Sequence, residues 1–178
     1  MVQTFRLSDK EEERFEQFGQ FPDSFLKKVG ESAPRNANLL QRILELPEDW
    51  PVLFFGCSVE HAQAIAVLLR RKGRSAAVVT GETRRATRRH IIEEFRAGRL
   101  RVLCNYGVLT TGFDAPKIRA VIIARPTTSV VLYEQMIGRG MRGPLNGGTE
   151  ECLVIDLQDN IARFQGQMAY QRMREVWR

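Results

Sequence analysis

The sequence places a glutamine and two arginines in a glycine-rich segment, Gln135-Met136-Ile137-Gly138-Arg139-Gly140-Met141-Arg142. A helix predicted over Val130–Arg142 would project Arg139 and Arg142 from one face, because they are three residues apart. A guanidinium is planar, permanently charged and able to donate two parallel hydrogen bonds to phosphate oxygens, so this pair could hold a terminal phosphate. Gly138 and Gly140 would let the backbone approach a ligand or a neighbouring strand closely. The alternative is a solvated basic turn at a helix end.

The same segment matches a glycine pattern of dinucleotide-binding proteins. Residues 138–143 read G-x-G-x-x-G, and Asp156 follows at a suitable distance. The third glycine of that pattern leads into a helix, whereas residues 144–148, Pro-Leu-Asn-Gly-Gly, interrupt any helix here. The pattern also belongs to the first strand–helix unit of a sheet, and here it precedes the last strand. A dinucleotide site is therefore rejected.

A second polar segment follows directly after a predicted strand. It contains Thr110, Thr111, Gly112 and Asp114. Loops at the carboxyl ends of parallel strands form the ligand crevice of open α/β sheets. Hydroxyls and the amides near a glycine suit phosphate contact, and a carboxylate suits a ribose hydroxyl. The alternative is a structural turn that Asp114 caps.

The elements that position these segments are predicted from apolar patterning. Five short, nearly continuous apolar runs are typical of parallel strands covered on both faces. These runs are Val52–Cys57, Ala76–Thr80, Val102–Asn105, Ala120–Ala124 and Cys152–Asp156. Amphipathic stretches between them predict helices over Glu60–Lys72, Arg84–Ala97 and Val130–Arg142. The alternation predicts an α/β fold with a doubly wound parallel sheet.

The first third and the tail have a different pattern. A capping box at Ser8 predicts a charged helix from about Asp9 with Phe15 and Phe18 on one face. Gly19–Pro34 is predicted as a connector, because it contains helix-breaking glycine and proline residues and its apolar residues show no clear periodicity. A second helix is predicted over Asn36–Leu46, and a packing helix, interrupted at Gly166, over Ile161–Arg178.

Four segments in this order and spacing resemble the second RecA-like lobe of superfamily 2 helicases. Val52–Ser58 with the helix at His61 resembles motif IV, Val79–Gly81 the next conserved element, Thr110–Asp114 motif V, and Gln135–Arg142 the Q-x-x-G-R-x-x-R form of motif VI. The amino-acid sequences of two segments, Leu109–Pro116 and Arg125–Thr127, are most similar to those of bacterial DEAD/DEAH-like repair and type III restriction-type helicases.

The resemblance covers about residues 36–160 and implies a RecA-like three-layer α/β/α fold with a mainly parallel sheet, preceded by a short helical segment. Three parts are expected: an N-terminal helical or linker segment at 1–47, the RecA-like domain at 48–160, and a C-terminal helix or tail at 161–178.

The resemblance also implies roles for individual residues. Arg139 and Arg142 would be arginine fingers that reach the γ-phosphate, where such a group stabilises developing charge. Gln135, Gly138, Gly112 and Asp114 would bind the nucleotide, with Asp114 meeting the ribose or linking motifs V and VI. The residues expected along the nucleic-acid backbone are Ser58, Thr80, Gly81, Thr110 and Thr111.

Charge supports a polyanionic partner independently of the motifs. The chain of 178 residues has 27 Lys and Arg against 21 Asp and Glu, a net charge of +6. Eleven of these cations but only three acids fall between Arg70 and Arg101, so the basic character is local. About half of these arginines are expected to solvate helix faces only. Nucleic acid is the expected partner, DNA rather than RNA.

Other sites and locations are limited by composition. Cys57, Cys104 and Cys152 lie far apart, which fits buried free thiols in a reducing cytoplasm better than a zinc site or disulfides. His61 and His90 have no ligand partner at helical spacing, so they are interpreted as core or solvated side chains and no metal site is expected. Apolar runs are too short for a membrane span, and the start shows no signal peptide.

The sequence matches no G-x-x-x-x-G-K-[ST] loop and no acidic motif for magnesium. ATP and Mg²⁺ are therefore expected to be held mainly by a first lobe absent from these 178 residues, and the chain alone is expected to have no significant ATPase activity. The leading hypothesis is the C-terminal half of an ATP-dependent helicase or translocase. The alternatives are a stand-alone, catalytically inactive nucleic-acid-binding module and a nucleotide-binding domain without a nucleic-acid partner.

Overall fold

The computed structural model describes residues 4–108, 117–141, 143, 147–157, 159–161 and 167–176. The elements in chain order are β1 (Thr4–Phe5), α1 (Asp9–Phe18), α2 (Asp23–Gly30), α3 (Ala33–Glu45), β2 (Val52–Phe55), α4 (Val59–Arg71), β3 (Ala76–Val79), α5 (Arg85–Arg96), β4 (Val102–Asn105), β5 (Ala120–Ile123), α6 (Val130–Ile137), β6 (Leu153–Asp156), β7 (Asn160–Ile161) and α7 (Ala169–Val176).

The main sheet has the strand order β3-β4-β2-β5-β6, and every described pairing in it is parallel. The central strand β2 pairs with β4 on one side and with β5 on the other, so that Val52 lies beside Val102 and Ala120. The predicted parallel sheet is confirmed, and each strand ends within two residues of its predicted bounds. The short strands β1 and β7 form a separate parallel pair.

Alternating side chains of β2 build the cores on the two faces of the sheet. Val52 and Phe54 point into a cluster that α3 and α4 cover, whereas Leu53 and Phe55 point into a cluster that α5, α6 and α7 cover. All four side chains are buried, which explains why the strand is a continuous apolar run rather than an alternating one. The result is the expected three-layer α/β/α arrangement.

The helix α1 begins as predicted, with the Glu11 carboxylate accepting a hydrogen bond of 2.9 Å from the backbone N–H of Ser8. It ends at Gly19, whose φ of 65° lies in the left-handed region that favours glycine. Phe15 and Phe18 are three residues apart in this helix and so lie on one face, as predicted, but only Phe15 packs against the protein. Phe15 packs against Phe21, with ring centroids 5.1 Å apart, but Phe18 is 64% exposed.

The prediction of a connector without secondary structure between α1 and α3 is wrong, because α2 lies within this segment. Its buried side chains Phe25, Leu26 and Val29 have helical spacing and pack in a third cluster with Phe5 and Ile161. The helix α3 begins three residues earlier than predicted, at Ala33. Proline is tolerated in the first turn of a helix, where its missing N–H would have no intrahelical partner.

Two predicted helices are shorter than the patterning indicated. The helix α6 ends at Ile137 rather than Arg142, so Arg139 does not project from it. Two glycines follow within three residues, and glycine lowers helix propensity by about 1 kcal/mol. Ile161 belongs to β7 rather than to a tail helix, and α7 begins only at Ala169.

Candidate functional site

A cavity of about 380 Å³ lies at the carboxyl edge of the sheet, where β2, β4 and β5 end. The lining comes from the loops after these strands, from α6 and from the α1–α2 connector. The residues that contribute are Gln20, Phe55, Gly56, Asn105, Tyr106, Gly107, Arg125, Ser129, Val131, Leu132, Gln135 and Met136. Ligands of open α/β sheets bind at this edge, because the loops that follow parallel strands converge there.

Stacking and a hydrogen bond fix the polar side chains on one side of the cavity. The Arg125 guanidinium lies 5.1 Å from the centroid of the Tyr106 ring. The Tyr106 hydroxyl donates to Asp23 Oδ1 over 2.8 Å, and Thr128 Oγ1 donates to the carbonyl of Gly19 over 3.3 Å. The connector before α2 is thereby attached to the edge at which the strands end.

A buried ion pair lies directly behind this edge. Arg35 of α3 donates to Asp159 through Nε and Nη2, each over 2.7 Å, and both residues are buried. Arg35 Nη2 also donates to the carbonyl of Ala124, and Cys57 Sγ donates to the same carbonyl over 2.9 Å. Since Cys57 and Ala124 adjoin cavity-lining residues at the ends of β2 and β5, this network holds the two strand ends in place.

Burial in this network shifts the pKa values of its neighbours. Burial opposes the charge on Arg35, but its hydrogen bonds with Asp159 outweigh this effect and raise its pKa. Desolvation raises the pKa of the Cys57 thiol to about 12 and, with the Arg35 charge, lowers the pKa of His61 to about 3. His61 accepts a hydrogen bond of 3.1 Å at Nδ1 from the Cys57 backbone. It is therefore a neutral core side chain, as one of the two sequence interpretations has it.

The structure describes three of the site residues predicted from motif VI: Gln135, Gly138 and Arg139. Gln135 is half-buried and lines the cavity, and Gly138 caps α6, where its N–H donates to the carbonyl of Glu134 over 2.9 Å. Arg139 is half-buried in the turn that follows. Of these three residues, Gln135 is the one among the described residues that line the cavity, whereas Gly138 and Arg139 follow at the carboxyl end of α6.

Gly140 confirms the predicted close approach to a strand. A Cβ atom at this position would lie 2.2 Å from Cys152 Sγ and 2.9 Å from Val121 Cγ2. The turn after α6 therefore packs directly on β5 and on the residue before β6. Only glycine fits at this position without displacing its neighbours.

The residues predicted along a nucleic-acid backbone and described by the structure follow β2 and β3. Ser58 caps α4, because its side chain accepts from the His61 N–H over 3.1 Å. Thr80 is buried, and its N–H donates to Thr83 Oγ1 over 2.9 Å. Gly81 is exposed with open space around its Cβ direction. The other predicted site residues lie outside the described residues: Thr110, Thr111, Gly112, Asp114 and Arg142.

Two groups within the basic block between Arg70 and Arg101 differ in their contacts. Some of its arginines donate to backbone carbonyls or pair with acids, and so have structural partners: Arg70, Arg74, Arg88, Arg89, Arg99 and Arg101. Arg84 and Arg85 are exposed at the start of α5, directly beyond Gly81. Arg84 and Arg85 form the second group, and they face the solvent near the carboxyl end of β3.

Several cavity residues were not predicted. Asn105 is fully buried at the end of the otherwise apolar β4, and its Nδ2 donates to the carbonyl of Phe54 over 2.9 Å. A lone amide in an apolar strand was the available signal for this position. Gln20, Tyr106 and Arg125 come from three different loops, and no pattern in the sequence connects them.

The parallel sheet, the site at its carboxyl edge and the motif order define the second RecA-like lobe of a superfamily 2 helicase. The family model of the helicase conserved C-terminal domain matches residues 35–144 of the sequence, which is more than half of the chain. The chain belongs to this family.

Named helicases are among its relatives. The chain is 38% identical over 104 residues to the putative ATP-dependent helicase IRC3 of Saccharomyces cerevisiae, a match that covers 58% of this chain and 15% of the relative. It is 37% identical over 141 residues to the putative mitochondrial ATP-dependent helicase irc3 of Schizosaccharomyces pombe, covering 75% of this chain and 23% of the relative. The chain thus spans less than a quarter of the length of either protein.

Solved structures show the same fold. The C-terminal domain of the DEAD-box protein Dbp5 superposes with a TM-score of 0.66 at 20% identity, covering 82% of this chain and 79% of that one. Domain 2 of the DEAD-box helicase Mss116p, bound to an RNA duplex, gives a TM-score of 0.56 at 17% identity, covering 88% of this chain and 54% of that one.

Proposed function

We propose that this chain is the C-terminal motor lobe of an ATP-dependent nucleic-acid helicase or translocase. The observation that carries the proposal is the cavity at the carboxyl edge, in which Gln135 of the motif VI segment faces the ends of β2 and β4. The two IRC3 relatives are named as ATP-dependent helicases, which supports the same activity.

The nucleotide in this proposal lies between this lobe and a first lobe that the 178 residues do not include. Gln135, Gly138, Gly112 and Asp114 bind nucleotide from this side. The amide of Gln135 and the guanidinium of Arg125 suit ribose and phosphate oxygens. The part of the chain that the structure describes has no cluster of His, Cys, Asp or Glu that could hold a metal ion. In our proposal Mg²⁺ is held mainly by the first lobe, together with the phosphates of the nucleotide.

Arg139 and Arg142 are the proposed arginine fingers. When the two lobes close, their guanidinium groups reach the γ-phosphate and stabilise the negative charge that develops on its oxygens. In phosphoryl transfer such a group contributes about 10³- to 10⁵-fold in rate. Opening and closing of the cleft then couples hydrolysis to movement along a strand.

The nucleic-acid strand is proposed to run past the ends of β2 and β3. Gly81 lets a phosphate approach the backbone, and the exposed Arg84 and Arg85 neutralise phosphate charge. Ser58, Thr80, Thr110 and Thr111 complete the proposed backbone contacts. We expect the strand to be DNA. Because the similar structure of Mss116p domain 2 is bound to an RNA duplex, the binding test compares a DNA strand with an RNA strand. A cytoplasmic location belongs to the same proposal and is tested by imaging the tagged full-length protein, since one relative is named as mitochondrial.

The test measures ATP hydrolysis and strand binding by the full-length protein. Arg142→Ala should lower nucleic-acid-stimulated ATPase activity by about 10³-fold or more and leave the Kd for a single strand unchanged. Arg14→Ala removes the same charge from an exposed position on α1 and should leave both unchanged. Stimulated hydrolysis that survives Arg142→Ala would overturn the proposed role of this residue.

The 178-residue chain alone distinguishes this function from a stand-alone binding module. In our proposal it binds a strand but does not hydrolyse ATP, and hydrolysis appears when the first lobe is joined to it. A full-length protein that binds a strand salt-dependently and has no ATPase activity would favour the binding module.

A further inference from the structure

A second cavity, of about 520 Å³, lies at the opposite, amino edge of the sheet. It is formed where β2, β4 and β5 begin and where α5 ends. Its lining residues are Asp49, Trp50, Pro51, Arg96, Ala97, Gly98, Arg101, Lys117, Arg119 and Thr149. None of the described residues assigned to the proposed nucleotide or strand contacts lines this cavity.

The lining of this amino-edge cavity is strongly basic. Among the described residues that line it, Arg96, Arg101, Lys117 and Arg119 contribute four positive charges, and Asp49 is the one acid. Like charges placed together repel one another, and a low-dielectric concave wall strengthens their combined field. A lining of this kind attracts and concentrates anions.

Contacts with the backbone and with an aromatic ring hold two of the cationic side chains in place. Arg101 Nη1 donates to the carbonyl of Asp49 over 2.8 Å. The Arg119 guanidinium lies over the Trp50 ring, 4.8 Å from its centroid. Thr149 Oγ1 donates to the carbonyl of Ile118 over 3.1 Å, which fixes the segment before β6 to the segment before β5. Two of the four cationic side chains, Arg101 and Arg119, are therefore held in place before any ligand arrives, which lowers the entropic cost of binding.

We propose that the amino-edge cavity binds phosphate groups of a polyanionic ligand. A single carboxylate carries one charge, whereas a chain of phosphates carries several and matches a lining with three more cations than acids. Three of the four cations are arginines, whose planar fork donates two hydrogen bonds to one phosphate. The volume falls in the range of about 300–1,000 Å³ typical of small-molecule sites. The proposal does not rest on the carboxyl-edge function.

These phosphates could come from a free polyphosphate or from a nucleic-acid strand. The helix α5 starts at the carboxyl edge beside Arg84 and ends at the amino-edge cavity with Arg96. A helix of 12 residues is about 18 Å long. A strand that contacts the carboxyl edge could therefore reach the second cavity over a few nucleotides, and two ligands in the experiment separate the sources.

The experiment uses the fluorescence of Trp50, whose indole lies beside the Arg119 guanidinium, so that a phosphate bound by Arg119 should change it. The chain has two tryptophans, so the background variant is Trp177→Phe. Tripolyphosphate is titrated first, followed by a 20-nucleotide single strand. Lys117→Gln should weaken tripolyphosphate binding about three- to five-fold. Lys10→Gln removes the same charge from an exposed position on α1 and should have no effect.

Asp49→Asn supplies a variant that must gain affinity. Because it removes the acid from the lining, it should tighten tripolyphosphate binding about two- to three-fold, a result that misfolding cannot produce. If the single strand competes with tripolyphosphate and responds to Lys117→Gln, the phosphates come from nucleic acid; if it does not, the ligand is a free polyphosphate. The proposal is overturned if tripolyphosphate does not bind, if Lys10→Gln weakens it as much as Lys117→Gln, or if polyglutamate binds equally well.

Discussion

Arg35→Met should cost the protein a large part of its stability. The substitution keeps much of the side-chain volume but leaves the Asp159 carboxylate buried without the two 2.7 Å hydrogen bonds that Arg35 donates to it. Removing one partner of a buried ion pair costs about 3–5 kcal/mol. Small proteins unfold with a free energy of about 5–15 kcal/mol, so the loss should be visible as a large shift of the urea midpoint.

The magnitude separates this pair from ion pairs at the surface. Arg42 and Glu45 are 3.6 Å apart, with side chains 62% and 50% exposed, and an exposed pair contributes about 0–1 kcal/mol. Arg42→Met is therefore the matched control, with an expected loss below about 0.5 kcal/mol. Urea unfolding followed by circular dichroism measures both variants against the parent chain.

A double variant shows whether the unpaired charge is the cause. Arg35→Met with Asp159→Leu removes both charges, and replacing a buried pair with apolar side chains is often neutral or stabilising. It should recover most of the loss. The reasoning fails if Arg35→Met costs no more than Arg42→Met, or if the double variant is less stable than the single one.

Two further predictions concern packing and pH. Gly140→Ala should lower the free energy of unfolding by about 1–3 kcal/mol, because the added Cβ would lie 2.2 Å from Cys152 Sγ. Gly81→Ala is the control: its added Cβ would meet open space, so the free energy of unfolding should change by less than about 0.5 kcal/mol. Equal effects of the two variants in urea unfolding would contradict the packing argument. Burial raises the pKa of Asp156 to about 7, against a hydrogen-bonding contact with Tyr133 that lowers it. The folded state therefore binds the proton more tightly than the unfolded chain, and stability falls as the pH rises. Between pH 6 and 8 the loss should be about 1.4 kcal/mol, and Asp156→Asn should remove it; an unchanged slope in that variant would exclude Asp156 as the source.

The strands were predictable because both faces of the sheet are covered. A strand such as β4 then reads as one apolar run with clear ends, and its observed bounds, Val102–Asn105, are those that the patterning predicts. The helix α2 was missed because Pro22 and Gly30 resemble breakers, although one precedes the first helical residue and the other ends the helix. Local composition outweighed a short periodic signal.

The site was only partly predictable, because tertiary contacts decide which polar residues meet. Arg35 and Asp159 are separated by 124 positions in the sequence, and no local pattern connects them. Motif spacing indicated Gln135 at the ligand edge, but it could not show that α6 ends before Arg139. The close packing of Gly140 on β5 turns the chain there, and that contact depends on the whole sheet.

The position of β2 at the centre of the sheet has a consequence for the order of assembly during synthesis. Of the five strands of the main sheet, β2 is synthesised first, but its two neighbours, β4 and β5, are synthesised third and fourth. The strand β3 pairs with β4 and not with β2, so it cannot join the sheet until β4 has been made. The growing chain therefore carries an apolar strand with both hydrogen-bonding edges open until residue 102 has emerged, and one edge open until residue 120. Open strand edges promote aggregation. The helices α3 and α4 pack on one face of β2 and can cover its apolar side chains before the sheet exists, but they leave its two edges open.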